Sequence, residues 1–401
     1  MGAASATQDA TEARGGLTIR LPTGRGLALY TTLNGPLDFS VAPGVMNRTA
    51  YAAAHIAVDP LADVDPWEGR AVDWDRTIAF REYLWDMGLG IAEAMDTAQR
   101  GMGLDWASAQ ELIRRSQAAA RRRTGAVIAY GAGTDHLAPG PDVTIDQVIA
   151  AYEEQVGFVE GLGGRVILMA SRALAKAARS PDDYVRVYKR ILSQVRQPVI
   201  IHWLGEMFDP ALAGYWGATD HLAAMETAIE VINSHADKID GVKISLLDAG
   251  KEIAMRRRLD KRVKMYTGDD FNYAELIAGD EQGYSHALLG IFDAIAPAAS
   301  AALVKLAAGD RAAYDALLEP TVPLSRHIFK APTRYYKTGV VFLAYLNGFQ
   351  DHFYMLGGQQ SARSVPHLAE LFRLADAARV LRDPELAVDR MKKVLAVAGI
   401  D

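Results

Sequence analysis

Eight short apolar runs, spaced by amphipathic stretches long enough to be helices, constrain the fold of this chain more tightly than any motif in it. The runs fall at 52–58, 90–95, 126–132, 165–170, 198–204, 241–244, 263–266 and 284–290. The stretches 75–87, 108–121, 145–162, 182–194 and 222–236 lie between them, each with the period of a crossover helix. Strand and helix in alternation imply βαβ units and a parallel sheet. Eight parallel strands are the number that closes a (β/α)8 barrel. An open doubly wound sheet is the rival, but no Gly-rich phosphate turn follows the first run. The expected architecture is therefore an α/β TIM barrel over 48–297.

The barrel is expected to carry appendages at both ends. Residues 1–16 are rich in Ala, Thr and Gly and read as a disordered tail. Two short alternating runs, 17–21 and 27–30, flank Pro22-Thr23-Gly24-Arg25-Gly26 and predict a hairpin, placed with its lead-in over 17–47. That hairpin is expected to close one end of the barrel. Beyond 297 the strand signals stop, and helices are expected at 298–317, 325–331, 336–347, 365–380 and 384–397. This helical extension, 298–401, would pack on the barrel or on a second subunit. The apolar segment 340–346, with Phe349, Phe353 and Tyr354, favours either burial against the barrel or a homo-oligomer interface, a dimer or tetramer.

Composition narrows the partners. A chain of 401 residues, half of them hydrophobic, can bury a large core. Its net charge of -6 gives no attraction to nucleic acid or to an anionic membrane, so a small molecule is the expected ligand. Without cysteine there are no disulfides, thiolate metal sites or cysteine nucleophiles, which agrees with a reducing cytoplasm. The N-terminus has acids where a signal peptide has a basic start and an apolar core. The run 340–346 ends at Asn347 and Gly348, far short of a membrane span.

In a barrel of this type, catalytic groups gather at the C-terminal ends of the strands. The polar residues expected there are Asp96, Thr97 and Arg100 after the second strand and Asp135 and His136 after the third. His202 and Glu206 belong to the fifth, Lys243 to the sixth, Asp269 and Asp270 to the seventh, and Ser285 and His286 to the eighth. Lys243 is the most informative, because a strand-end amine that loses its proton can attack a carbonyl. Each neighbour has a plainer alternative. His202 is either a core histidine bonded to a carbonyl or a proton shuttle facing Lys243. Asp269 and Asp270 follow a glycine and could form an Asx-turn, the reading favoured for Asp270. Asp135 and His136 could cap a helix, bind substrate hydroxyls or ligate a metal.

The segment Asp240-Gly241-Val242-Lys243-Ile244-Ser245 resembles the Schiff-base strand of the dihydrodipicolinate synthase and N-acetylneuraminate lyase superfamily. Pro198-Val199-Ile200-Ile201-His202-Trp203-Leu204-Gly205 resembles its fifth strand, with His202 where the family has tyrosine and Gly205 where it has proline. Tyr266-Thr267-Gly268-Asp269-Asp270 is similar to its Ser-Gly-Asp-Asp signature, and Gly283-Tyr284-Ser285 with Asp293-Ala294-Ile295-Ala296-Pro297 to its pattern around the eighth strand. The family's Gly-Thr-Thr-Gly-Glu loop is replaced by Met95-Asp96-Thr97-Ala98-Gln99-Arg100-Gly101, where only Thr97 remains. The resemblance implies a class I lyase without a cofactor: Lys243 forms an imine, and His202 moves protons in place of the tyrosine. Asp96, Thr97, Asp135, His136, Glu206, Asp269, Ser285 and His286 would then bind substrate, with Arg100 holding a carboxylate. A hydroxylated keto compound, such as a keto acid or keto sugar derivative, is the implied substrate. Two further readings stand beside it. One is a metal-dependent sugar isomerase or epimerase using His136, His202, Glu206, Asp269 and His286. The other is a barrel that binds a sugar or a partner protein without catalysis.

Overall fold

The computed structural model describes residues 16–33, 35–36 and 44–400, so the tail at 1–15 and part of the lead-in lie outside the described residues. A two-stranded antiparallel hairpin comes first, β1 (Thr18–Thr23) and β2 (Gly26–Thr31). Eight parallel strands follow: β3 (Ala50–Ala53), β4 (Gly90–Glu93), β5 (Ile128–Ala132), β6 (Arg165–Leu168), β7 (Val199–Leu204), β8 (Ile239–Ser245), β9 (Lys264–Thr267) and β10 (His286–Leu289). They pair in chain order, and β10 pairs back onto β3, which closes the barrel. Each of the eight expected runs overlaps a strand, the first only at Ala52 and Ala53, and the helices between them begin and end close to where hydrophobic periodicity placed them. Their starts are capped as the sequence allows: Asp73, Asp105, Ser171, Asp220 and Asp248 each accept a backbone N–H from the first turn, and Thr144 with Gln147 forms a capping box.

Inward-facing residues fill the barrel in a small cluster of their own: Tyr51, Ala53, Ala92, Met95, Ala129, Ile167, Ile200, Tyr266 and Leu288. Two tyrosines occupy much of the lower space, Tyr51 meeting Tyr266 edge to face at 5.9 Å between ring centroids. Gly241 lets them fit, because a Cβ there would come within 2.5 Å of the Tyr266 ring. At the N-terminal end Tyr266 donates to Asp240 (2.7 Å), which also accepts from Lys264 (2.9 Å). This end of the barrel is sealed by structural polar contacts, as expected for the face opposite the chemistry.

The hairpin does not close the barrel. β1 turns Ile19 and Leu21 inward against the C-terminal helices Val365–Ala377 and Pro384–Val397. Tyr30 donates to Asp376 (2.6 Å) and Arg373 to the Pro22 carbonyl (2.9 Å). Its alternating pattern only required an apolar surface, and the extension supplies one. The expected helix at 298–317 is two helices, Ala296–Ala307 and Arg311–Leu318, because Gly309 turns left-handed and Asp310 caps the second. Every residue of the helix Tyr336–Leu346 is buried within the chain. The apolar surplus of this helix is therefore spent inside the chain, while Phe349 and Phe353 stay half-buried and Tyr354 is exposed. No helix among the described residues is long and apolar enough to cross a membrane.

Candidate active site

Side-chain alternation along β8 puts Gly241, Lys243 and Ser245 on the inner face, and the β7–β8 register sets His202 beside Lys243 and Leu204 beside Ser245. Lys243 is 7 % exposed, yet it makes no hydrogen bond and no ion pair among the described residues. Burial pushes its amine below the ordinary lysine range, and the charges of Asp270 and Asp96 partly oppose that fall. The glycine of Thr267-Gly268-Asp269-Asp270 makes room for it: a Cβ at 268 would lie 2.8 Å from Lys243 Cε and would strike Ser245 Oγ.

His202 is fully buried, with Nε2 3.3 Å from Ser245 Oγ and Nδ1 without a partner. Burial, and then the neighbouring Lys243, push its pKa well below the ordinary value, so the ring is neutral at physiological pH. The two aspartates exchange the roles expected of them. Asp269 Oδ1 accepts from the backbone N–H of Phe271 (2.9 Å) and Asn272 (3.0 Å), and Oδ2 from the Asn272 side chain, which makes Asp269 the turn former. Asp270 is the one whose charge acts on Lys243; it accepts from the Ile291 N–H (2.9 Å), and burial pushes its carboxyl up to about 7.

The loop after β4 carries Asp96 and Thr97, and two non-glycine residues in it, Ala94 and Gln99, adopt positive φ. Arg100 fixes the loop. Its guanidinium donates to both oxygens of Asp135, to Gln155 (2.8 Å) and to the carbonyls of Ala94 (3.1 Å) and Gly131 (3.3 Å). All five N–H groups are engaged, so Arg100 is a strut and has none left for a substrate carboxylate. Asp135, held by Arg100 and Gln155, keeps its carboxylate one-fifth exposed at the cavity edge.

Several other expected site residues are elsewhere. His136 stacks on Trp106 and pairs with Glu154 (3.3 Å), away from the cavity. Glu206 is half exposed and bonded to His221 (3.0 Å). Ser285 and His286 stand at the start of β10, not its end. Ser285 donates to Glu252 (2.7 Å), and His286 accepts from the Thr49 N–H (2.8 Å), so both support the wall and floor of the barrel. The expected run 284–290 begins two residues before the strand, so both side chains belong to its N-terminal end. His136, His202, Glu206, Asp269 and His286 consequently do not converge, and no cluster with metal-ligand character forms among the described residues.

The cavity at the mouth holds about 60 Å³ and is lined by Asp96, Asp135, His202, Arg172 and Asp209 among others. Lys243 lies next to two of these residues and not on the wall itself. The extension completes this end of the barrel: Tyr336 is buried with its hydroxyl 2.9 Å from Thr97 Oγ1, and its ring lies on Phe329 and against Phe208. Lys337, 5 % exposed, donates to the Arg334 carbonyl (3.1 Å). Arg172, Tyr336 and Lys337 escaped the sequence reading. Arg172 opens the short helix Arg172–Ala177 after the fourth barrel strand and had a positional signal; the other two sit in an apolar helix and had none.

A family model described as "Protein of unknown function (DUF993)" matches residues 19–400. The chain belongs to that family. No curated protein matches this DUF993 chain. Among solved structures it is similar to YagE of E. coli K12, a prophage protein of the dihydrodipicolinic acid synthase family in complex with pyruvate, with TM-score 0.65, 12 % identity, and coverage of 84 % of this chain and 100 % of that one. It is also similar to the chloride-inhibited dihydrodipicolinate synthase of Acinetobacter baumannii complexed with pyruvate (TM-score 0.61, 17 % identity, 84 % and 100 % covered). The dihydrodipicolinate synthase of Aquifex aeolicus gives 0.58 at 13 % identity, covering 88 % and 98 %. The DUF993 chain thus has the fold of these structures at 12–17 % identity.

Proposed function

We propose that this chain is a Schiff-base-forming lyase, an aldolase or hydro-lyase, acting on a small hydroxylated keto compound. The observation that carries the reading is the Lys243 amine: buried, pushed toward its neutral form, and left without a hydrogen bond or ion pair beside a cavity. Burying a cation without a partner costs several kcal/mol, a cost of the kind proteins accept at reactive groups. The neutral amine adds to the carbonyl carbon of the substrate, and the resulting carbinolamine loses water to give an imine. Once protonated, the imine takes up the electron pair released when a carbon–carbon or carbon–hydrogen bond next to it breaks.

Asp270 is best suited to carry the proton, since a carboxyl pushed up to about 7 can both give and take one near neutral pH. His202, its basicity lowered by burial and by Lys243, lies beside the amine as a hydrogen-bonding neighbour. Asp96 and Asp135, which line the cavity, are assigned to hydroxyls of the bound compound, and Thr97, bonded to Tyr336, supports the loop beneath them. The pyruvate present in two similar structures fits the same carbonyl chemistry.

Borohydride trapping tests the reading. With a reactive ketone, hydride reduction of the imine should add the ketone's mass, less one oxygen, to Lys243, located by peptide mass analysis. A Lys243→Ala protein that still acquires the adduct, or keeps its lyase activity, removes the proposal.

A further inference from the structure

Arg172 is the cation at the barrel mouth with donors to spare. Its Nε donates to Asp209, while Nη1 and Nη2 make no hydrogen bond among the described residues. The side chain lines the cavity that His202 and Asp96 also line. Gly101, at φ +70°, keeps the opposing loop clear, since a Cβ there would lie 2.5 Å from Arg172 Nη1. A second cation stands near it, the buried ammonium of Lys337, which uses the Arg334 carbonyl and the Met102 sulfur and has a further proton to donate.

The charges acting on Lys243 are Asp270 and Asp96; those acting on Lys337 are Asp96, Arg172 and Asp209. Asp96, which lines the same cavity as Arg172, is thus the carboxylate that both amines share. An anion directly attached to a carbonyl at Lys243 would face two carboxyl groups and no spare guanidinium, because Arg100 is fully engaged. An anion at Arg172 would meet its two unused Nη nitrogens on the cavity wall, with the Lys337 ammonium within electrostatic reach.

Building on the proposed imine chemistry, we infer that the substrate is a ketone whose anionic group is remote from its carbonyl, a terminal carboxylate or phosphate held by Arg172 and Lys337. Asp96 accepts a hydroxyl of the carbon chain between the two. This arrangement differs from one that grips a carboxylate next to the carbonyl.

Two measurements on the full chain test it. In the first, borohydride trapping at Lys243 is compared for hydroxyacetone, pyruvate, 4-oxopentanoate and dihydroxyacetone phosphate. The last two should reach half-modification at concentrations about tenfold lower than the first two, because a charged bidentate contact contributes roughly that factor. In Arg172→Gln and Lys337→Met proteins that advantage should collapse, and the ratio of 4-oxopentanoate to dihydroxyacetone phosphate tells carboxylate from phosphate preference. The second measurement needs no imine: calorimetric titration of inorganic phosphate and of succinate into wild type and Arg172→Gln. Binding of at least one anion to wild type, weakened about tenfold by the substitution, is the expected result. Equal trapping of neutral and anionic ketones, or anion binding absent or indifferent to both substitutions, overturns the subsite. If no ketone is trapped at Lys243 while anion binding still depends on Arg172, the imine reading falls and the subsite stands.

Discussion

Two sets of buried charges in this barrel are treated in opposite ways. Behind β3 and β4, Arg81 and Glu93 are wholly inaccessible and meet through two hydrogen bonds of 2.9 Å. Every remaining group there is answered: Arg81 also donates to the carbonyls of His55 and Thr77, and Glu93 accepts from Ser116 (2.6 Å) and the Ala94 N–H (2.8 Å). On the inner face of β8, Lys243 is almost as deeply buried and has none of this. Both sites are buried, Lys243 at 7 % exposure and the pair at zero, and what separates them most is their partners. A satisfied buried pair specifies geometry, whereas an unanswered buried amine holds a free energy that a reacting carbonyl can relieve.

The largest expected effect is at the unanswered group. Lys243→Ala should lower turnover or trapping by about a thousandfold or more, as removal of a covalent nucleophile does. Its urea midpoint should be unchanged or higher, since an unpaired buried charge is lost; a large drop in stability would erase the contrast. Glu93→Gln probes the other side. It should lower unfolding free energy by about 3–5 kcal/mol, the usual cost of breaking a buried pair from one end, while trapping per folded molecule stays within about twofold of wild type. A smaller effect is expected from Gly268→Ala, whose methyl must push Lys243 Cε aside: about 1–3 kcal/mol of overpacking, with slower trapping.

The pH dependence is the finest probe. Trapping should rise with pH and level off below the ordinary lysine value of 10.5, because burial depresses the amine. Asp270 and Asp96 both hold that pKa up, so Asp270→Asn and Asp96→Asn should each move the midpoint down, and an upward move would contradict the assignment. Asp270 has a raised folded pKa, so the native state binds its proton more tightly than the unfolded chain does between about 4 and 7. Stability should therefore fall as pH rises through that window, and Asp270→Asn should flatten the slope measured by urea titration.

The barrel was readable because its signals are local and repeated. A wrong boundary in one strand, as at 284–290, leaves eight alternations and one closed sheet. The site was readable only in part. Lys243 and His202 share an inner face because strand alternation and the β7–β8 register place them there; the strands were legible in the sequence, and the register that turned His202 inward was not. Arg100 and Asp135 also belong to the mouth, but nothing local shows that they saturate each other. The doublet Asp269-Asp270 is the sharpest case: two identical residues on a turn, one bonded to its own backbone and one electrostatically coupled to the lysine, separated by a peptide rotation that no composition rule encodes.

Hydrophobic periodicity by itself determined that this chain makes parallel strands with covering helices, and it placed one lysine near the C-terminal end of the sixth. Whether each charge along the rim found a partner was decided only in three dimensions. Partners such as Glu93 for Arg81, Asp135 for Arg100, and Tyr336 for Thr97, 239 residues away in the chain, are set by how the elements pack. Hydrogen bonding falls off within an ångström, so residue types and spacings can propose a reactive amine, while the packed structure alone leaves it without a partner.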